Sequence, residues 1–188
     1  MRPLGMVAAL AAPLVLVACG DTAPTTAPTA PAAFVPAAHG DTRLVQMMDA
    51  CDPASFNAAI GPGTCTRAGG VRFENFISLL GRHQAVGSWH FAPATINARV
   101  GQTLIAFNQG GEVHTFTEVA EFGGGIVPDL NLLSGTPVPA PECLALTGPD
   151  FVPPGGSDTD EVEEPGTERY MCCIHPWMRA VVEARQEG

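Results

Sequence analysis

The sequence predicts an all-β fold: an antiparallel β-sandwich with short N-terminal helices and a long insert before the last two strands. Three observations carry this prediction. Short runs rich in β-branched and aromatic residues follow one another after residue 87, glycine and proline separate these runs, and helical patterns occur only before that point. A chain of 188 residues is long enough for one modest domain with additional segments.

The N-terminus predicts export and lipid anchoring. Residues 1–18 contain one basic residue and an apolar run that Pro13 interrupts, which is too short and broken for a membrane span and is typical of a signal peptide. The run ends in LVAC at Cys19, which resembles a bacterial lipobox, so we expect a lipid on Cys19 that anchors the chain to a membrane without spanning it. Gly20 then favours the outer membrane where the organism has one, and the expected location is the bacterial cell envelope, facing the periplasm or the exterior. An ordinary signal peptide with an incidental cysteine is the alternative.

Two segments precede the predicted strands. Residues 19–40 are rich in Pro, Ala and Thr and almost lack bulky apolar side chains, which predicts an extended tether. Residues 41–85 are predicted to form a small helical extension linked by a disulfide. In DPASFNAAIG, Asp52 is suited to cap a helix that begins at Pro53, and VRFENFISLLG spaces its apolar residues at helical intervals before Gly81.

The predicted sandwich domain spans residues 86–188. Six runs read as strands, and they are SWHFAP, TINARV, QTLIAFNQ, VHTFTEVA, RYMCCI and RAVVEA. An insert at about residues 121–166, rich in proline and glycine, separates the last two strands from the others, and two further strands are expected around it. Long inserts of this kind are usually surface excursions that often carry specificity.

The segment YMCCIHPWM, residues 170–178, concentrates soft metal ligands. A copper electron-transfer site needs a thiolate, two imidazoles and a weak axial thioether. One loop supplies three of these groups if Cys172, His175 and Met178 are the ligands. His114 opens a strand directly after a Gly-Gly turn, and this position makes it the expected second imidazole.

Strand geometry favours Cys172 over Cys173 as the ligand. With Cys173 as the ligand, only Ile174 would separate it from His175. Since neighbouring strand residues point to opposite faces, such a pair would have to distort to converge on one ion. With Cys172 as the ligand, two intervening residues form the turn. Pro176 stiffens this turn, and Trp177 is expected beside an exposed edge of His175 where electrons enter. A strained vicinal disulfide between the two cysteines, or a mercury or zinc site, is the alternative.

The order of these motifs resembles a known family. The pattern FAPATINARVGQTLIAFNQGGEVHTF, followed by YMCCIHPWMRAVVEA, is similar to the cupredoxins, and the short ligand loop is most similar to amicyanin and plastocyanin-like proteins. The resemblance covers about residues 86–184 and implies a Greek-key sandwich with one type 1, or blue, copper ion. It also implies that Asn108 lies behind the ligands. The copper ligands that it implies are His114, Cys172, His175 and Met178.

The remaining cysteines are even in number. With Cys19 assigned to lipid and Cys172 to metal, four are left for disulfides, and they are Cys51, Cys65, Cys143 and Cys173. Pairing Cys51 with Cys65 closes a loop of about 15 residues, which stabilises the fold by about 3 kcal/mol in the chain-entropy account. This pairing leaves Cys143 for Cys173, although the sequence does not fix the connectivity and a buried Cys173 thiol is the alternative.

Charge and composition limit the function. The chain has nine basic and 19 acidic residues, for a net charge of −10. This excess of negative charge disfavours nucleic-acid binding. The acidic run near residues 158–168 is suited to steer a redox protein partner with a basic surface, or it is a solvated loop. The expected function is electron transfer by copper cycling between Cu(I) and Cu(II), without enzymatic turnover of a substrate. The alternatives are a copper carrier or storage lipoprotein and a metal-free interaction module with the same fold.

Overall fold

A computed structural model of the chain describes residues 42–186. The predicted signal peptide, the tether and Cys19 lie outside the described residues. In chain order the elements are β1 (Thr42–Met48), α1 (Pro53–Ala59), α2 (Phe73–His83), β2 (His90–Ala92), β3 (Thr95–Arg99), β4 (Thr103–Asn108), β5 (Thr117–Glu118), α3 (Pro128–Leu133), β6 (Ser157–Glu161), β7 (Gly166–Met171) and β8 (Arg179–Arg185). Two short 3-10 turns, Glu142–Ala145 and Gly148–Asp150, lie between α3 and β6.

The strands form two four-stranded sheets, ordered β2-β1-β4-β6 and β3-β8-β7-β5. This confirms the predicted β-sandwich. The sheets are mixed rather than wholly antiparallel, because β1 pairs with β4 and β3 pairs with β8 in parallel. Parallel neighbours require a long connection, and here the chain between β1 and β4 includes both N-terminal helices.

Alternating burial along the strands builds the core between the sheets. In β4, Leu104 and Ala106 are buried, while Ile105 between them is only partly covered. In β8, Ala180 and Val182 alternate in the same way. Since side chains of a strand point to opposite faces in turn, this period of two gives each sheet one core face.

Helix α1 has its predicted bounds, whereas α2 extends beyond its predicted end. The Asp52 side chain caps α1 by accepting a hydrogen bond from the Ser55 backbone N–H at 3.0 Å. Helix α2 continues through Gly81 and ends at Gln84, which adopts a left-handed backbone with φ of 58° and donates its N–H to the Leu80 carbonyl. Gly81 is therefore helical, and the left-handed residue that ends the helix is three positions later.

Residues 42–48, expected within a helical extension, instead form β1. This strand pairs with β4 over six residues, from Thr42 opposite Thr103 to Met47 opposite Asn108, so the sandwich begins before the helices. Two further strands were expected around the insert, and β6 is one of them. The eighth strand is β1, which precedes the helices instead of flanking the insert. No helix within residues 42–186 is long and apolar enough to cross a membrane.

Both expected disulfides are present. Cys51 is bonded to Cys65, and Cys143 is bonded to Cys173. Among the described residues, Cys172 is the free cysteine, and it is buried. The second bridge ties the insert, through its first 3-10 turn, to the residue beside Cys172.

Candidate metal centre

Three predicted ligands converge on one point inside the sandwich. The Cys172 Sγ lies 3.7 Å from Nδ1 of His114 and 3.8 Å from Nδ1 of His175. A metal ion bound at about 2.3 Å to sulfur and about 2.0 Å to nitrogen, with trigonal angles, holds these atoms about 3.7 Å apart. The two sulfur–nitrogen distances therefore match those of a single three-coordinate metal site, and all three donor atoms lie within 4.8 Å of one another. The exposed fractions of these residues are only 0 to 3 %.

The loop between β7 and β8 fixes two of these ligands and Met178. The Cys172 N–H donates to the Met178 carbonyl at 3.0 Å, and the Met178 N–H donates to the His175 carbonyl at 2.9 Å. Met178 is fully buried in the main core with Cys172. Cys173 lies in a separate small apolar cluster, so the two neighbouring cysteines face opposite sides as strand geometry predicts.

The backbone around His114 is held by the insert. His114 exchanges two backbone hydrogen bonds with Val152, at 3.1 and 2.8 Å. Asn108 donates from its amide nitrogen to the carbonyls of Glu112 and Val152, at 2.8 and 2.9 Å, and accepts from the Gly110 N–H. Asn108 thus holds the turn before His114 against the segment of the insert that contains Val152.

Asp49, which follows β1, holds the His114 ring from behind. Its Oδ2 lies 2.9 Å from Nε2 of His114 and accepts the Glu112 N–H at 3.0 Å, while its Oδ1 accepts the Cys51 N–H at 3.1 Å. A carboxylate on one ring nitrogen sets the tautomer of a metal-binding histidine. With the proton on Nε2, the His114 Nδ1 lone pair faces Cys172.

The Gly-Gly turn before His114 makes room for this arrangement. A Cβ on Gly110 would overlap the Asp49 carboxylate, and a Cβ on Gly111 would overlap the Cys51 sulfur. The two glycines therefore allow the Asp49 segment and the first disulfide to pack against the turn. Their conformational freedom is not needed, since neither has a positive φ.

A second carboxylate lies behind His175. Oε2 of Glu112 is 3.6 Å from Nε2 of His175 and accepts the indole N–H of Trp89 at 2.7 Å. Glu112 is 6 % exposed, and this burial raises the pKa of its carboxyl group. Each imidazole thus has a carboxylate on the side away from the sulfur.

Mutual contacts set the charges of the site. Burial alone would lower the pKa of His114, but its hydrogen bonds to Asp49 and Cys172 raise that pKa to about 9. Burial opposes ionisation of Cys172 and Asp49 as well. Hydrogen bonds from His114 and His175 nevertheless lower the pKa of Cys172, and hydrogen bonds from His114 and backbone N–H groups lower the pKa of Asp49. The metal-free site therefore favours a Cys172 thiolate, which is the form that binds metal.

The expected exposed edge of His175 is wrong, since His175 is only 3 % exposed. Phe76 of α2 and Trp89 lie with their ring centroids 6.4 Å from the imidazole, and Trp177 lies at 5.4 Å. Helix α2 and Trp89 thus cover the histidine. Trp177 is beside His175 as predicted, and it is a partly buried member of this aromatic cluster.

Sequence reasoning missed three polar contacts of the site. Glu112 stands two residues before His114, and this alternate-residue spacing could have identified it. Thr115 donates its backbone N–H to the Cys172 sulfur at 3.5 Å, which no side-chain pattern indicates. Asp49 is 65 residues from its partner His114, so no local spacing links them.

Some solved structures are similar to this chain at low sequence identity. The chain matches no protein-family model, and no curated protein matches its sequence. Among solved structures it is similar to a purple cupredoxin from Nitrosopumilus maritimus, with 14 % identity, 76 % of this chain and 98 % of that chain covered, and a TM-score of 0.43. A plastocyanin from Dryopteris crassirhizoma has 14 % identity, coverage of 76 % and 100 %, and a TM-score of 0.40. A Cu(I) amicyanin variant has 18 % identity, coverage of 51 % and 73 %, and a TM-score of 0.36.

Proposed function

We propose that the chain binds one copper ion in a type 1 site and transfers single electrons. The observation that carries this proposal is the spacing of the Cys172 sulfur, 3.7 and 3.8 Å from the two Nδ1 atoms. One thiolate and two imidazoles, with a methionine nearby, are the donor set of copper electron-transfer sites. His114, Cys172 and His175 would hold the ion and Met178 would be the weak fourth ligand. When bound, copper supplies the Cu(I)/Cu(II) couple.

The surrounding residues are suited to keep the ligands still. Asp49 holds the His114 ring, and backbone hydrogen bonds close the Cys172–Met178 loop. Ligands that do not move when the oxidation state changes keep the reorganisation energy small. The Thr115 N–H at the sulfur and Met178 as the weak fourth ligand would tune the potential.

The acidic surface is the proposed docking face for a basic redox protein. We define it as one depression lined by Glu118, Asp160, Glu161, Glu163, Glu164 and Glu168. Tyr170 connects this surface to the site, because its hydroxyl donates to Asp160 at 2.9 Å and its backbone is two residues before Cys172. A negatively charged face raises the association rate of a positively charged partner.

The proposed place of action is the bacterial cell envelope. Cys19 would carry the lipid, residues 19–40 would span the distance from the membrane to the folded part, and the membrane would be contacted by the anchor alone.

A copper carrier is the second candidate, and ligand burial argues against it. Handing a metal to an acceptor requires a ligand that the acceptor can reach, whereas His114 and Cys172 have no exposed surface. The alternatives are separated by loading the protein with one equivalent of copper and cycling it between oxidant and reductant beside a Cu(I) chelator. We expect reversible one-electron voltammetry with the copper retained. Loss of copper to the chelator in each reduced phase would contradict electron transfer and indicate a carrier.

A further inference from the structure

A cavity of about 350 Å³ opens beside His175, between the N-terminal helices and α3. Three phenylalanines, Phe56, Phe73 and Phe76, contribute to its wall, and their ring centroids lie 5.3 to 6.3 Å apart. They form one interlocked aromatic cluster, so this wall is preformed. His175 and Glu112 also line the cavity.

The lining specifies the chemistry of an occupant. Its walls are largely aromatic and aliphatic, including Ile77 of α2 and Leu130 of α3, so they favour an apolar ring. Glu112 offers a carboxyl group, and Asp129 adds a second acidic group to the lining. Both acids disfavour an anionic occupant. A hydroxyl group both donates and accepts hydrogen bonds, so it pairs with the Glu112 carboxyl group in either protonation state.

The size of the cavity limits the occupant to a small molecule. An apolar cavity of about 150 Å³ is enough to bind benzene, so this cavity has room for one substituted ring. We propose that it is a binding site for a small uncharged aromatic alcohol, with the ring among Phe56, Phe73 and Phe76 and the hydroxyl group at Glu112. This site does not depend on copper, because none of the contacts assigned to the occupant involves a metal ion.

The test uses the two tryptophans of the chain as reporters. The indole N–H of Trp89 is bonded to Glu112, so a hydroxyl group that reaches Glu112 shifts the Trp89 indole signal in a ¹H–¹⁵N NMR spectrum. The whole chain, metal-free and Cu(I)-loaded, is titrated with 4-methylphenol. We expect a saturable shift with a Kd below about 1 mM in both forms. Toluene, which lacks the hydroxyl group, and 4-methylbenzoate, which is anionic, are expected to bind at least about tenfold more weakly.

Filling the cavity provides matched variants. Ile77→Phe and, separately, Leu130→Phe place an extra ring in the cavity, and each should weaken 4-methylphenol binding by about tenfold or more. Leu132→Phe adds the same ring at a position that is 67 % exposed and outside the cavity, and it should bind as the parent chain does. The absence of a saturable shift, an equal affinity for 4-methylbenzoate, or unchanged binding in whichever filling variant folds would overturn the proposal. Since the metal-free chain is tested in parallel, failure of copper binding leaves this result unaffected.

Discussion

Replacing Asp49 with asparagine tests how the protein holds its first histidine. Asp49 accepts three hydrogen bonds: its Oδ2 faces His114 and the Glu112 N–H, and its Oδ1 faces the Cys51 N–H. Asparagine has nearly the same size but only one acceptor oxygen. In either orientation it leaves at least one buried donor without an acceptor, which costs about 1–3 kcal/mol of unfolding free energy. Altered support of a ligating histidine also weakens metal binding by about 10–100-fold.

The assay combines two measurements on Asp49→Asn. Urea denaturation of the metal-free chain gives the change in unfolding free energy, and competition with a Cu(I) chelator gives the change in copper affinity. Asp52→Asn is the matched control, because Asp52 caps α1 and asparagine is an equally good N-cap. We expect both losses for Asp49→Asn and neither for Asp52→Asn. Unchanged copper affinity in Asp49→Asn would refute the role assigned to this carboxylate.

Two further predictions concern the insert and the acidic surface. A Cβ on Gly125 would overlap the Cys173 carbonyl, so Gly125→Ala should lower the unfolding free energy by about 1–3 kcal/mol in urea denaturation. Gly148 has open space around it, so Gly148→Ala should change the unfolding free energy little. Equal effects of the two substitutions would refute the close contact at Gly125. Desolvation and neighbouring carboxylates raise the pKa of Glu118, although this residue is exposed, so its ionisation opposes folding. The folded state binds the extra proton, and stability falls as pH rises from about 4 through the raised pKa. Glu118→Gln should therefore raise Tm at pH 7 but not near pH 4, and more than Glu164→Gln does; a lower Tm at pH 7 would contradict this.

The convergence of Cys172 and His175, two of the proposed ligands, was predictable because its information is local. Cys172, His175 and Met178 follow one another at a spacing that one turn between two strands brings together, and strand alternation distinguishes Cys172 from Cys173. The strands β3, β4 and β8 were predictable for a similar reason, since in each of them buried residues alternate with less buried ones within a few positions.

The missed features depend on contacts between distant parts of the chain. Strand β1 is defined by its parallel pairing with β4, about 60 residues later, and parallel partners leave no hairpin signal in the sequence. The burial of His175 depends on where α2 packs, which the amphipathic pattern of that helix does not specify. Asp49 resembles any polar residue before a helix until the fold places it against His114.

The visible absorption spectrum of the Cu(II)-loaded chain tests the central proposal most directly. We expect an intense thiolate-to-copper charge-transfer band from the parent chain. Cys172→Ser should abolish this band, and a Cys143→Ala, Cys173→Ala double variant, which removes the neighbouring disulfide but not the proposed ligand, should retain it. A colourless parent chain, or a band that persists in Cys172→Ser, would contradict a type 1 copper site at Cys172.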